Sequence, residues 1–121
     1  MNDNEATGLL EDNEATGFLV EEQIHYPTLY RILTNERICV NKPVFRLGKE
    51  RSYVDYFVTN NNAVSRGHAD IITRGNRYFA RDLNSKNKTY INGQAIPPQC
   101  ECELLDGSRL TLGNEEFIFN I

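Results

Sequence analysis

The chain has 121 residues, of which 40% are hydrophobic, 25% charged and 10% aromatic. That length fits one domain of ordinary size with a core of its own. It holds no apolar run near the ~20 residues of a membrane-spanning helix, and the acidic start Met1-Asn2-Asp3-Asn4-Glu5 lacks the apolar stretch of a secretory leader. Three cysteines make an odd number, and Cys100 and Cys102 have no further Cys or His in metal-ligand spacing. The expectation is a cytoplasmic protein in a reducing compartment, without metal, cofactor or membrane partner.

The net charge of −4 hides a split: residues 1–22 hold seven acids and no Lys or Arg, which leaves residues 23–121 with ten acids and thirteen bases. Within the acidic part, residues 3–11 read DNEATGLLE and residues 12–20 read DNEATGFLV, so an unbroken run of six identical residues recurs nine apart. Glycine interrupts any helical or alternating pattern there, and the few apolar residues cannot form a core. Residues 1–24 are therefore read as a flexible acidic arm and 25–121 as the folded domain. Thr7 and Thr16, at the same place in each copy, are candidate phosphorylation sites. A calcium loop fits poorly, because the acids lack the alternating oxygen-ligand pattern.

From Pro27 onward the chain breaks into short β-rich runs. Thr28–Leu33 and Arg37–Val40 flank Thr34-Asn35-Glu36, Pro43 precedes Val44–Leu47, and Tyr56–Thr59 runs into Asn60-Asn61-Asn62. His68–Arg74 and Arg77–Leu83 face each other across Gly75-Asn76, a two-residue hairpin signal. Tyr90-Ile91 meets Asn92-Gly93, Leu104-Leu105 meets Asp106-Gly107, and Arg109–Leu112 and Phe117–Ile121 surround Gly113-Asn114. Closely spaced turns without a helical stripe predict an all-β sandwich or barrel. Alternation in the last run predicts Phe117, Phe119 and Ile121 on the core face.

Polar chemistry collects in three segments between these runs: Leu47-Gly48-Lys49-Glu50-Arg51, Val64-Ser65-Arg66-Gly67-His68, and Asn84-Ser85-Lys86-Asn87-Lys88-Thr89. Loops at one end of a sandwich converge on one patch. Lys49, Arg51, Arg66, Lys86 and Lys88 would then form a basic rim, lined by Ser and Asn, suited to one compact anion. The order and spacing of Leu47-Gly48-Lys49, Ser65-Arg66-Gly67-His68-Ala69 and the stretch from Asp82 to Gly93 resemble the forkhead-associated (FHA) domain family over about residues 28–121.

That resemblance, of the bacterial type with a phosphorylatable N-terminal tail, implies an eleven-stranded β-sandwich whose loops bind a phosphothreonine peptide. By position, Ser65 would give its hydroxyl and backbone N–H to the phosphate. Lys49, Arg51, Arg66 and Lys86 would supply charge or contact the peptide, and Asn87 would hold the peptide backbone. Gly48, His68, Thr89 and Asn92 would support the site. Two positions depart from the family pattern: Lys49 stands where Arg is usual, losing bidentate geometry, and Lys88 replaces the Gly of Asn-Gly-Thr, where a left-handed backbone costs more for a side chain. The implied partners are a Ser/Thr kinase and a phosphothreonine-bearing protein, either another chain or the domain's own tail. A phosphothreonine brings about −1.5 to −2 charges, and hydrogen bonds to a charged group contribute about 1.5–3 kcal/mol each.

Competing readings follow from the same residues. Ser65, His68 and Asp70 suggest a hydrolase, but Gly-x-Ser-x-Gly is absent and the expectation is no enzyme. Asn87-Lys88-Thr89 matches a glycosylation acceptor, but without a secretory leader this is read as coincidence. Basic loops with Tyr53, Tyr56 and Tyr90 suggest a single-stranded nucleic-acid barrel, yet the bases cluster at loop tips and do not follow a groove, so no nucleic-acid partner is expected. A scaffold binding through its sheet faces is the remaining alternative.

Overall fold

The computed structural model describes residues 24–121. The duplicated motif with Thr7 and Thr16 lies outside them. Eleven strands form two sheets: β1 (Thr28–Arg31), β2 (Glu36–Cys39), β3 (Val44–Gly48), β4 (Tyr56–Phe57), β5 (Ala69–Arg74), β6 (Arg77–Asp82), β7 (Thr89–Ile91), β8 (Gln94–Ala95), β9 (Glu101–Leu104), β10 (Arg109–Leu112) and β11 (Glu115–Asn120). A single 3₁₀ turn, Arg51–Tyr53, interrupts them among the described residues. One sheet runs β9-β6-β5-β3-β4 and the other β2-β1-β11-β10-β7-β8. Among the described strands only β3 and β4 pair in parallel.

Turn chemistry sets the hairpins. Arg74 pairs with Arg77 across Gly75-Asn76, and Gly75 alone takes a positive φ, +66°, the pattern of a II′ turn. Asn92-Gly93 has positive φ at both residues, 50° and 84°, as a I′ turn requires. Leu29, Leu47, Ile71, Ala80, Leu110, Leu112, Phe117 and Phe119 fill the space between the sheets and are fully buried. They are the alternate residues of their strands, so the period-2 pattern decides which face closes on the core.

Several sequence expectations shift. β1 stops at Arg31, and Ile32 and Leu33 enter a turn closed by Asn35 at φ +60°. β4 is two residues long because Val58 turns inward and donates its N–H to the Gly48 carbonyl (2.8 Å). The short β8 was not visible in the sequence, since Gln94 and Ala95 are both exposed. Ile121 is not in the core: it lies past the end of β11 and is 48% exposed. The third inward position of β11 is Glu115, which is 2% exposed.

Candidate functional site

Strand register places the polar loops at one end of the sandwich. Leu47 pairs with Ala69, Ala69 with Asp82, and Leu112 with Thr89. The loops after β3, before β5 and after β6 therefore leave the sheets side by side. The turn between β10 and β11 joins them, since Gly113 N–H donates to the Lys88 carbonyl (2.9 Å). This end is the apex. The opposite end, with Pro27, Pro43 and the Gly75 turn, is the base.

Ser65 stands where three loops meet. Its carbonyl accepts the Lys49 N–H (3.1 Å), and its Oγ accepts the Lys86 N–H (3.1 Å). Next to it, Glu50 N–H donates to the Arg66 carbonyl (3.1 Å), and Asn87 Nδ2 donates to the Ala63 carbonyl (3.0 Å). The loops approach so closely that a β-carbon on Gly48 would sit 1.9 Å from the Arg66 oxygen. Lys49, Arg66, Lys86 and Asn87 are exposed around the half-buried Ser65, and the three cations have no ion pair among the described residues. Arg51 lies on the 3₁₀ turn with its guanidinium 4.3 Å from the centre of the Phe57 ring, a cation–π contact that pre-positions it.

The supporting residues act from beneath. His68 is fully buried. Its Nδ1 accepts the Ser65 N–H (3.0 Å), so the ring proton sits on Nε2 and is donated to the Lys88 carbonyl (2.9 Å). Lys88 holds φ +71°, a left-handed conformation stabilised by two donors on its one carbonyl. Thr89 is buried and donates its hydroxyl to Asp82 Oδ1 (2.7 Å). Asn92 is not at the apex. It caps the β7–β8 turn at the base, where Oδ1 accepts the Arg109 N–H (2.9 Å).

One sequence-level reading changes at this point. The Ser65 N–H is committed to His68, so of the two phosphate donors the resemblance implied, the hydroxyl is the one still able to donate outward. Nor do Ser65, His68 and Asp70 form a hydrolytic relay: His68 meets the Ser65 backbone and not its Oγ, while Asp70 is buried and pairs with Arg46 (2.8 Å) and Arg81 (3.4 Å).

Burial lowers the His68 pKa below its ordinary 6.5, against the opposing pull of the Lys88 carbonyl and Asp82. A folded pKa below the unfolded one means stability that is full above about pH 6.5 and lost as pH falls through the folded value. The imidazolium would point an N–H at the Ser65 N–H. Urea midpoints measured against pH are expected to fall on acidification more steeply in wild type than in His68→Asn. Parallel profiles would remove His68 as the cause.

Two further groups organise the site and escaped the sequence reading. Asp82 accepts from both the hydroxyl and the N–H (3.1 Å) of Ser85 as well as from Thr89, so one carboxylate pins both ends of the β6–β7 loop. Its signal was an Asp closing a strand three residues before a Ser, an arrangement that caps turns. Arg31 and Glu115 form a fully buried pair (2.7 Å). Arg31 also donates to Thr59 Oγ1 (3.1 Å), the Thr59 carbonyl (2.7 Å) and Tyr56 Oη (3.1 Å), while Glu115 accepts from Asn61 (2.8 Å). The pair thereby fixes the segment leading into Ser65. Hydrogen bonding to Glu115 raises the Arg31 pKa despite its burial. Burial pushes Glu115 up, but the bonds from Arg31 and Asn61 outweigh it and leave its carboxyl below the ordinary 4.5. The sequence signal was a charge at an inward position of each strand, in step with Leu29 and with Phe117.

Comparison with known proteins gives the same picture. A family profile described as FHA domain matches residues 45–113. The protein FraH of Nostoc sp. (strain PCC 7120) is 37% identical over 59 residues, which is 49% of this chain and 20% of FraH. Mycobacterium tuberculosis EmbR, solved in complex with a low-affinity phosphopeptide, superposes with a TM-score of 0.73 at 26% identity, over 79% of this chain and 24% of that one. The FhaA FHA domain, complexed with the intracellular domain of Rv3910, gives 0.69 at 25% identity, over 78% of this chain and 99% of that one. This chain thus spans a fifth of FraH, about a quarter of the EmbR chain and nearly all of the FhaA domain. Because the profile runs from β3 to the β10–β11 turn, across every loop that meets at Ser65 and over more than half of the sequence, the chain belongs to the FHA domain family.

Proposed function

We propose that the apex binds peptides carrying a phosphothreonine and that the domain is a signalling module that reads this modification, not an enzyme. The observation that carries this reading is the convergence on Ser65: its hydroxyl accepts from Lys86 N–H and its carbonyl from Lys49 N–H, and exposed cations and the Asn87 amide ring it. A dianionic phosphate suits this donor set, and the peptide on either side would lie across Arg66 and Asn87. Three or four charge-assisted bonds, less the cost of ordering the peptide, give about micromolar affinity. A Ser/Thr kinase supplies the phosphoryl group, which assigns the reading to the cytoplasm.

Titration of matched Thr and phospho-Thr peptides spanning residues 13–22 tests it. Binding is expected for the phosphorylated peptide alone, and Ser65→Ala and Arg66→Ala should each weaken it by about 1.5–3 kcal/mol, tenfold or more. Equal binding of both peptides would defeat the proposal in favour of a phosphate-independent scaffold. Oligonucleotide binding with a steep salt slope would point to nucleic acid.

The domain's own phosphorylated tail is one ligand this reading allows, in cis or on another chain. The described chain starts at the base, so the tail must travel the length of the sandwich, about 20 Å for a six-residue strand. Thr16 is eight residues before Ile24 and Thr7 is seventeen before it, lengths that cover at most about 26–29 Å and about 56–61 Å. Either threonine therefore has the chain length to reach the apex of its own domain, Thr7 with the larger margin.

A further inference from the structure

We infer that a small pocket on the β3–β4 side of Ser65 takes a second anionic group of the same peptide, an acidic or phosphorylated side chain about two or three residues from the phosphothreonine. The inference rests on the phosphothreonine reading and adds a feature of the ligand to it. The pocket, of about 220 Å³, is lined by Lys49, Phe57, Val58, Asn60, Asn61 and Asn62. Its frame is held to the loops that meet at Ser65: Val58 N–H donates to the Gly48 carbonyl (2.8 Å), Val64 N–H to the Asn61 carbonyl (3.3 Å) and Lys49 N–H to the Ser65 carbonyl (3.1 Å).

Three observations select an anion as occupant. The first is the lining itself, which holds an ammonium and three amides but, among the described residues, no carboxylate. The second is which donors remain available. Asn61 is committed to the fold: its Nδ2 donates to Asn114 Oδ1 (2.8 Å) and Glu115 Oε1 (2.8 Å), and its Oδ1 accepts the Ala63 N–H (2.9 Å). Asn60 and Asn62 are exposed and make no side-chain hydrogen bond among the described residues, so two amides stand ready beside the Lys49 ammonium. Asn60 holds φ +57°, which asparagine tolerates better than most side chains. The third is Arg51, whose guanidinium lies 4.3 Å from the centre of the Phe57 ring that walls the pocket. Stacking occupies the flat face of a guanidinium and leaves its N–H edge free to meet an oxyanion. Neither Lys49 nor Arg51 has an ion pair among the described residues, and Glu50 between them accepts from the Ser52 hydroxyl (3.2 Å) and does not line the pocket.

Placement sets the spacing. Asn62 is three residues before Ser65, at most about 10–11 Å of chain. An extended peptide covers that distance in about three residues. Lys86 N–H meets the Ser65 Oγ from the β6–β7 side (3.1 Å), whereas Phe57 and Val58 belong to or follow β4, the edge strand on the other side of β3. The second anion therefore falls on one flank of the phosphothreonine only.

The test is titration of the full, unphosphorylated chain with phosphothreonine peptides in an alanine background. Each carries one glutamate two or three residues before or after the phosphothreonine, and the best position is then repeated with phosphoserine. Glutamate on one flank is expected to tighten binding by about threefold, the worth of an exposed charge pair, and phosphoserine by about tenfold. Asn60→Gly combined with Asn62→Leu should remove either gain and leave the affinity for the all-alanine peptide unchanged. A gain from phosphoserine alone assigns the pocket to a second phosphorylation, and equal gains assign it to acidic side chains in general. No gain at any position, the same gain on both flanks, or a gain that survives the double substitution would overturn the inference while leaving the Ser65 reading intact. A phosphothreonine peptide that binds neither with nor without the acid would defeat the Ser65 reading, and this inference with it.

Discussion

Replacing Arg31 by Met is expected to destabilise the domain by about 3–5 kcal/mol, because it strands a buried carboxylate. Glu115 is 2% exposed, and its strongest partner is the Arg31 guanidinium at 2.7 Å. The same change releases Thr59, whose carbonyl and hydroxyl both accept from Arg31. The loss should therefore appear twice: as a lower urea midpoint, and as weaker phosphopeptide binding even under conditions where the variant is folded. Adding Glu115→Leu removes the stranded charge and should restore most of the stability. It should not restore the affinity, since Thr59 and Asn61 remain untethered. A single variant within about 1 kcal/mol of wild type, the range of an exposed ion pair, would show that the pair is dispensable.

Gly48→Ala is the second large effect. The added methyl would fall 1.9 Å from the Arg66 oxygen and 2.7 Å from its carbonyl carbon. Both are main-chain atoms, and no rotamer change relieves the overlap. The β3–β4 and β4–β5 loops must part, which breaks the Lys49–Ser65 and Glu50–Arg66 hydrogen bonds. Overpacking typically costs about 1–3 kcal/mol, and a clash with backbone at this distance belongs at or above the upper end. Denaturant unfolding measures the cost, and amide spectra should show displaced Lys49, Glu50, Ser65 and Arg66 signals. Unchanged signals in a folded variant would mean that the loops are not held in this close approach.

The all-β architecture and most strands were legible because alternation and turn chemistry are local. Gly75-Asn76 and Asn92-Gly93 announce their hairpins in two letters each, and Phe117 and Phe119 their face by spacing alone. The convergence of Lys49, Ser65, Lys86 and Asn87 was legible for a different reason: order along the chain matched a known pattern of loops. What stayed hidden depends on contacts distant in sequence. Arg31 and Glu115 are 84 positions apart, and although each sits at an inward position of its strand, nothing local tells that the two meet. Ile121 was misread because alternation gives a direction and not the place where the opposite sheet stops. Asn92 was assigned to support of the site by its place in the family pattern, but three residues of strand carry it toward the other end. The commitment of the Ser65 N–H to His68 needed coordinates, since an imidazole three residues away can meet either the hydroxyl or the main chain.

The neighbouring strands β1 and β11, inside the six-stranded sheet, are antiparallel with Thr28 opposite Asn120, so the start of the first strand and the end of the last reach the same edge of the body, away from Ser65. A polypeptide joined before β1 or after β11 would hang from that edge like a stalk, leaving the opposite face unobstructed. The unit can thus be spliced into longer architectures without rebuilding its recognition surface.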